Sequence, residues 1–209
     1  MDVGGPTGQY FEERPRARSR RGSVRLVLPD VGPFELATDR GVFSADGIDV
    51  GTMVLLRKIP PPPEAGHLLD LGCGYGPMAL ALASRSPAAT VWAVDVNERA
   101  LALTSENARS AGLSNVTVAT PRDVPEAVRF AAIYSNPPIR IGKAELHDLL
   151  MRWIDRLEPA GSAWFVVHRN LGSDSLARWF AEQGLHAKRR ASTRGYRLLE
   201  VLRPQLNPF

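Results

Sequence analysis

Ser135-Asn136-Pro137-Pro138-Ile139 is the stretch of this chain best suited to gripping a planar –NH₂ group. A residue before proline is pushed out of the α region, and each proline fixes its own φ, so the bend is stiff. It can hold the Asn136 side-chain oxygen and the Pro137 carbonyl together as two acceptors for the two hydrogens of an amine. Read alone, the same residues describe a proline-rich turn closing a strand, and the chain carries 17 Pro.

A second candidate stands upstream. Leu68-Leu69-Asp70-Leu71-Gly72-Cys73-Gly74-Tyr75-Gly76-Pro77 sets three glycines at alternate positions behind an apolar run. Glycines let backbone approach a ligand without Cβ obstruction, and ligands of open α/β sheets sit beyond the carboxyl ends of the strands. The spacing departs from the dinucleotide pattern G-x-G-x-x-G, because Pro77 occupies the place of the third glycine; it suits the first turn of a helix. Asp70 would repel a pyrophosphate but could pair with a cationic amino-acid group. Asp95, closing the next strand, could accept from ribose hydroxyls. The pocket therefore prefers a nucleoside carrying an α-amino acid, and S-adenosylmethionine fits. Cys73 reads as a small spacer, since no basic neighbour would activate its thiol. Asp123 stands where it could flank an adenine, or could cap its own loop.

These residues need a frame, and the sequence supplies a β/α rhythm. Strands are expected at 67–70, 90–95, 116–119, 131–135 and 162–167, with helices at 77–84, 98–111, 143–157 and 173–183. Leu146, Leu150, Trp153 and Leu157 form one helical stripe, with Glu158-Pro159-Ala160-Gly161 as its stop. Two strands at 185–191 and 196–202, joined by the turn 192–195, must be antiparallel to each other. The rest implies a parallel sheet covered on both faces. Upstream, a hairpin is expected in 24–49 and a short helix at 51–59, ended by Pro60–Pro63.

With 209 residues, 44% of them hydrophobic, the chain suits one domain (23–209, with 23–60 as an N-terminal extension) behind a flexible basic arm at 1–22. The single cysteine excludes a disulfide framework, and the four scattered histidines give no metal-ligand spacing. Neither a secretory segment nor a membrane-spanning run is seen, so a cytoplasmic protein without a membrane partner is expected. The net charge is +4. Residues 1–25 carry six Arg against three carboxylates, and 185–209 carry six Lys or Arg against Glu200, around an acidic body. Basic ends suit a polyanion such as RNA; the alternative for the arm is a solvated tail.

Asp70-Leu-Gly-Cys-Gly-Tyr-Gly76 with Asp95 and Asn136-Pro-Pro-Ile139 resembles the class I S-adenosylmethionine-dependent methyltransferases. Within them it is similar to the "methyltransferase small" domain, in particular the RsmC-type rRNA guanine-N2 enzymes. Gly41-Val-Phe-Ser44, Asp49-Val-Gly51 and Ile139-Arg-Ile-Gly-Lys143 extend the likeness. The resemblance implies a Rossmann-like α/β fold, with a mostly parallel seven-stranded sheet, an antiparallel C-terminal strand and helices on both faces. It implies that Asp70, Gly72, Cys73, Gly74, Gly76, Asp95, Val96, Asp123 and Asn136 border the cofactor, and that Asn136, Pro137 and Pro138 form the catalytic bend. Phe43, Ile139, Arg140 and Lys143 would meet the acceptor, in ribosomal RNA or the small ribosomal subunit, without a metal. Arg140 and Lys143 could equally be a solvated helix start.

Three departures stand out. Ile139 replaces the aromatic residue many amino methyltransferases use for stacking, Ala131 breaks the usual Phe-Asp pair, and the chain has room for one domain where RsmC resembles two. A monomer or homodimer fits. Adenine N6, a protein glutamine amide, and a catalytically inactive RNA-binding module remain as alternatives.

Overall fold

Residues 17–204 are described by a computed structural model. Alternation in the strand sequences decides the layers. In β3 (Ala65–Leu71), β6 (Phe130–Ser135) and β7 (Leu157–His168), neighbouring apolar residues point to opposite faces. Leu68, Ala132 and Trp164 enter one core; Leu69, Ile133 and Phe165 enter the other. A strand apolar on both faces must be covered twice. α1 (Val50–Lys58), α2 (Pro77–Arg85) and α3 (Glu98–Ser110) supply one cover, and α4 (Lys143–Ile154) and α5 (Ser173–Glu182) the other.

With β1 (Gly22–Leu26) and β2 (Phe34–Thr38) as a separate antiparallel hairpin, and with β4 (Ala88–Val94), β5 (Val116–Ala119), β8 (His186–Thr193) and β9 (Tyr196–Leu202), the main sheet runs β5-β4-β3-β6-β7-β9-β8. Pairs from β5 through β7 are parallel, and β9 runs antiparallel to both β7 and β8. From β3 the chain winds outward to β5, then returns to add β6 on the other side of β3. The carboxyl ends of β3 and β6 therefore diverge into a crevice at the topological switch point.

Two expectations are corrected. The apolar stripe of α4 ends at Ile154, and Leu157 already belongs to β7. Glu158-Pro159-Ala160-Gly161 is not a loop between elements but part of that strand, at a register shift against β6. Proline is tolerated at such an irregularity because no ladder N–H is required there. A Cβ at Gly161 would stand 2.8 Å from the Phe130 carbonyl, so only glycine lets the two backbones approach.

The described end of the segment expected as a basic arm contacts the body. Asp39, 5% exposed, accepts from Ser19 Oγ at 2.6 Å and from the Arg20 N–H. Arg99 lies 3.8 Å from Asp39 and donates to the carbonyls of Ala17 and Arg40. Burial works against the Asp39 charge, but these donors, the Arg40 N–H and Arg99 outweigh it and hold its pKa below the usual value. Residues 17–20 are thus latched to the body, and Gly22 opens β1; the rest of the expected arm lies outside the described residues.

Candidate active site

β6 delivers the Asn-Pro-Pro bend to the crevice. Ser135, the last residue of the strand, donates its hydroxyl to the Leu71 carbonyl at 2.7 Å and so fastens the end of β6 to the end of β3. Beyond it, Pro138 has φ −75° and ψ 75°, the dihedrals of an inverse γ-turn. The Ile139 N–H closes that turn on the Pro137 carbonyl at 2.9 Å. One lone pair of that carbonyl is engaged within the bend, and among the described residues no other donor takes the second.

Asn136 is held from across the fold. Its Nδ2 donates to Asp49 Oδ1 at 2.7 Å and to Thr52 Oγ1 at 3.3 Å. An ionised carboxylate only accepts, so this contact settles which amide atom is nitrogen. Oδ1 then lies on the opposite side of the planar amide, and among the described residues no protein donor reaches it. Asp49 is itself fixed as the N-cap of α1, accepting from the Thr52 N–H at 3.1 Å. α1 can approach closely because residue 51 is glycine: a Cβ there would stand 2.8 Å from the Tyr196 ring.

Two cavities meet at this amide. One, of about 130 Å³, is lined by Gly72, Gly74, Val94, Asp95, Val96 and Asn97, among others. The other, of about 270 Å³, is lined by Ile139, Arg140, His168, Leu171 and Tyr196, among others. Phe43, Asn136, Pro137 and Pro138 belong to both walls. The first is an apolar slot with carboxylate chemistry at one edge; the second has aromatic rings, with His168 and Tyr196 edge to face at 5.0 Å between centroids.

The glycine loop forms the floor of the first cavity. Gly72 and Gly74 have φ of +79° and +56°, and a Cβ at either would meet no protein atom within 4 Å. That is open space, against which ligand atoms can rest. Gly72 and Cys73 both donate to the Val94 carbonyl, at 2.8 and 3.1 Å. Asp95 joins loop to helix: Oδ2 accepts from the Gly74 N–H and Oδ1 from the Asn97 N–H, each at 2.9 Å. Each oxygen keeps lone-pair capacity for a further donor. Burial raises the Asp95 pKa, partly offset by the N–H groups of Asn97, Gly74 and Val96.

Asp70 is placed beneath the loop and not on either cavity wall. It is fully buried, and neither oxygen has a hydrogen bond of ordinary geometry. Burial pushes its pKa up to about 8, against the pull of the Ala79 N–H in the first turn of α2, and Asp95 adds to the rise. The expected direct pairing with a cation is not made from this position, and with its pKa at about 8 the carboxyl is mostly protonated at neutral pH and carries little charge. Cys73 is buried with its Sγ 3.7 Å from Thr104 Oγ1, and burial, then Asp95 and Asp70, raise its pKa well above the ordinary thiol value. A buried thiol held protonated in this way does not suit a nucleophile.

Other expected residues separate. Gly76, at φ +97°, serves as the N-cap of α2. Asp123 lines neither cavity; it accepts from Thr120 Oγ1 at 2.6 Å and closes its own turn, while Pro121 reaches the first cavity in its place. Lys143 opens α4 outside both walls, whereas Arg140 lies on the second. Sequence reasoning missed Asn97, 1% exposed, which caps α3 through Oδ1 and donates Nδ2 to the Gly41 carbonyl at 2.7 Å. That bond ties the Phe43 loop to the crevice. The roles of Asp49, Thr52 and Tyr196 were missed as well. Asp49-x-x-Thr52 before an apolar run carried a helix-start signal, but nothing local named Asn136 as its second partner.

A parallel sheet with this strand order, a single antiparallel strand between β7 and β8, and a ligand crevice at the switch point together define the class I methyltransferase fold. Residues 33–200 match the methyltransferase small domain. The chain belongs to that family. It is 37% identical over 171 residues to the uncharacterized protein YbxB of Bacillus subtilis, covering 79% of this chain and 84% of that one. It is 32% identical to the ribosomal RNA small subunit methyltransferase C of Shewanella amazonensis over 81% of this chain, but it spans only 50% of that protein's length. Among solved structures, the 16S rRNA N2 methyltransferase RsmC of T. thermophilus, in complex with AdoMet and guanosine, superposes over 91% of this chain and 52% of its own. The TM-score is 0.68, at 22% identity.

Proposed function

We propose that this protein transfers a methyl group from S-adenosylmethionine to an exocyclic amine, guanine N2 of small-subunit ribosomal RNA. One observation carries the reading: the Asn136 amide is locked by Asp49 with its oxygen free, where the two cavities meet. An amine seated in the second cavity would offer its two N–H groups to Asn136 Oδ1 and to the open lone pair of the Pro137 carbonyl.

The residues present fit the cofactor. Asp95 has acceptor capacity for ribose hydroxyls, and Gly72 and Gly74 leave space above the backbone. When bound, S-adenosylmethionine supplies an electrophilic methyl on a sulfonium that leaves as a neutral thioether. The protein's part is alignment and charge stabilisation. Guanine N2 delocalises its lone pair into the ring. Two acceptors on its N–H bonds favour the tetrahedral nitrogen whose pair points at the methyl, and they stabilise the positive charge that develops there. The proton departs after transfer, so no buried base is needed. A paired base must first be extruded. Phe43, Tyr196 and His168 offer the stacking surface that Ile139 does not, which supports a heteroaromatic acceptor over a glutamine side chain.

Labelled methyl transfer to naked 16S rRNA, small subunits, DNA and a glutamine-bearing protein tests the acceptor. Asn136→Ala tests the site: cofactor affinity should persist, while turnover falls by about 10²–10³. Full turnover in that variant would reduce the bend to a turn. Transfer to the protein glutamine alone would favour the other amide reading.

A further inference from the structure

A third, larger cavity of about 770 Å³ has polar walls, and its lining includes Val42 and Ser44, the chain neighbours of Phe43. Arg20, Arg21 and Arg40 all line it, together with Thr38, Ser44 and Asp46. Its lining thus carries three arginines and one acidic residue, Asp46. Arg21 also pairs with Glu106 at an exposed position, a contact of the kind that contributes little and exchanges readily. Among the described residues no ion pair engages the side chains of Arg20 or Arg40.

The cleft is built and not left to chance. The buried Asp39 clamps Ser19 and the Arg20 backbone, and Arg99 grips the carbonyls of Ala17 and Arg40. Both walls are therefore held by one buried carboxylate and one arginine. Arg40 precedes Phe43 by three residues, so their Cα atoms lie within roughly 11 Å, and Phe43 borders both the cofactor slot and the acceptor cavity.

We propose that the Arg20–Arg40 cleft binds the phosphodiester backbone of single-stranded RNA next to the acceptor base. The proposal rests on the reading of the Asn136 site as an RNA amine site, and it adds the surface that feeds it. A planar guanidinium suits bidentate phosphate contact, and phosphate contacts position a strand without reading its sequence. The acceptor base occupies the cavity at Phe43, and the phosphates flanking it fall to the arginines.

The test is fluorescence anisotropy of a single-stranded RNA oligonucleotide with the full chain and with Arg20→Ala/Arg40→Ala, from 50 to 200 mM salt, with methyl transfer measured alongside on RNA and on free guanosine. Both side chains are exposed, so the thermal midpoint should not move, and Arg40→Glu provides a second variant. Losing two phosphate contacts should lower the salt slope by about 1.4, so that over this range the parent loses about 7-fold more affinity than the variant. KM for RNA should rise while turnover on guanosine, which has no phosphate, stays the same. Equal affinity and slope in parent and variants would overturn the cleft. So would a parent that does not bind RNA, or one whose RNA is displaced as readily by poly-glutamate. A parent that binds RNA with the expected slope but methylates none of it would leave the cleft standing and remove the proposed reaction.

Discussion

Asp49→Asn isolates the contact that orients Asn136. The wild-type carboxylate accepts from Asn136 Nδ2 at 2.7 Å while capping α1 through the Thr52 N–H. Asparagine is as good a helix cap as aspartate, so the helix and the fold should persist. What changes is a charge-assisted hydrogen bond, worth about 1.5–3 kcal/mol, which becomes a neutral one of about 0.5–1.5 kcal/mol. The difference, about 1–1.5 kcal/mol, corresponds to roughly 5–12-fold in turnover if it is expressed in the alignment of Oδ1. Asp49→Ala removes the partner altogether and frees the amide to rotate. Misplacement on the ångström scale costs about 10²-fold, together with about 0.5–2 kcal/mol of stability from the lost cap. Single-turnover methyl transfer at saturating cofactor, paired with calorimetric cofactor binding, should show turnover falling in the order Asp, Asn, Ala with cofactor affinity within about twofold throughout. An Asn variant with parental turnover, or an Ala variant that loses cofactor affinity and not rate, would refute the orienting role.

Asp70 makes a pH prediction. Its folded pKa of about 8 lies above the ordinary carboxylate value. The native state therefore holds a proton that the unfolded chain has lost between about pH 4 and 8, and stability should fall as pH rises through that window. Thermal midpoints of the ligand-free protein should show this decline, and Asp70→Asn, which mimics the protonated form, should flatten it; parallel curves would remove Asp70 as its source. Gly161→Ala should destabilise by about 1–3 kcal/mol through the clash with the Phe130 carbonyl, read as a lower denaturant midpoint. Cofactor affinity should not change, because the β7 irregularity lies away from both cavities.

Local chemistry determined much of this protein. The β/α rhythm, the apolar strands, the glycine loop and the Asn-Pro-Pro bend are legible because each depends on neighbours a few residues away: periodicity, φ constraints and missing Cβ atoms act along the chain. Even the sheet follows from them, since strands apolar on both faces and separated by helices have few ways to be covered. Local signals misled where a tertiary contact overrode them. Pro159 and Gly161 read as a stop, yet β6 recruits that segment as strand because Gly161 permits backbone contact. Asp70 reads as a ligand partner by its place in the motif, yet the strand's alternation turns it under the loop.

Only the tertiary structure joined the bend to its support. Asp49 and Asn136 are 87 residues apart, as no periodicity could announce, and Asn97 meets the Gly41 carbonyl across 56. Tyr196 reaches the second cavity because β9 inserts antiparallel beside β7 and brings the turn of the last hairpin to the crevice. Sequence specifies which groups can donate, accept or bend, for those are properties of residues. Which donor finds which acceptor is set by the order in which the strands pack, and that order exists only once the chain has folded.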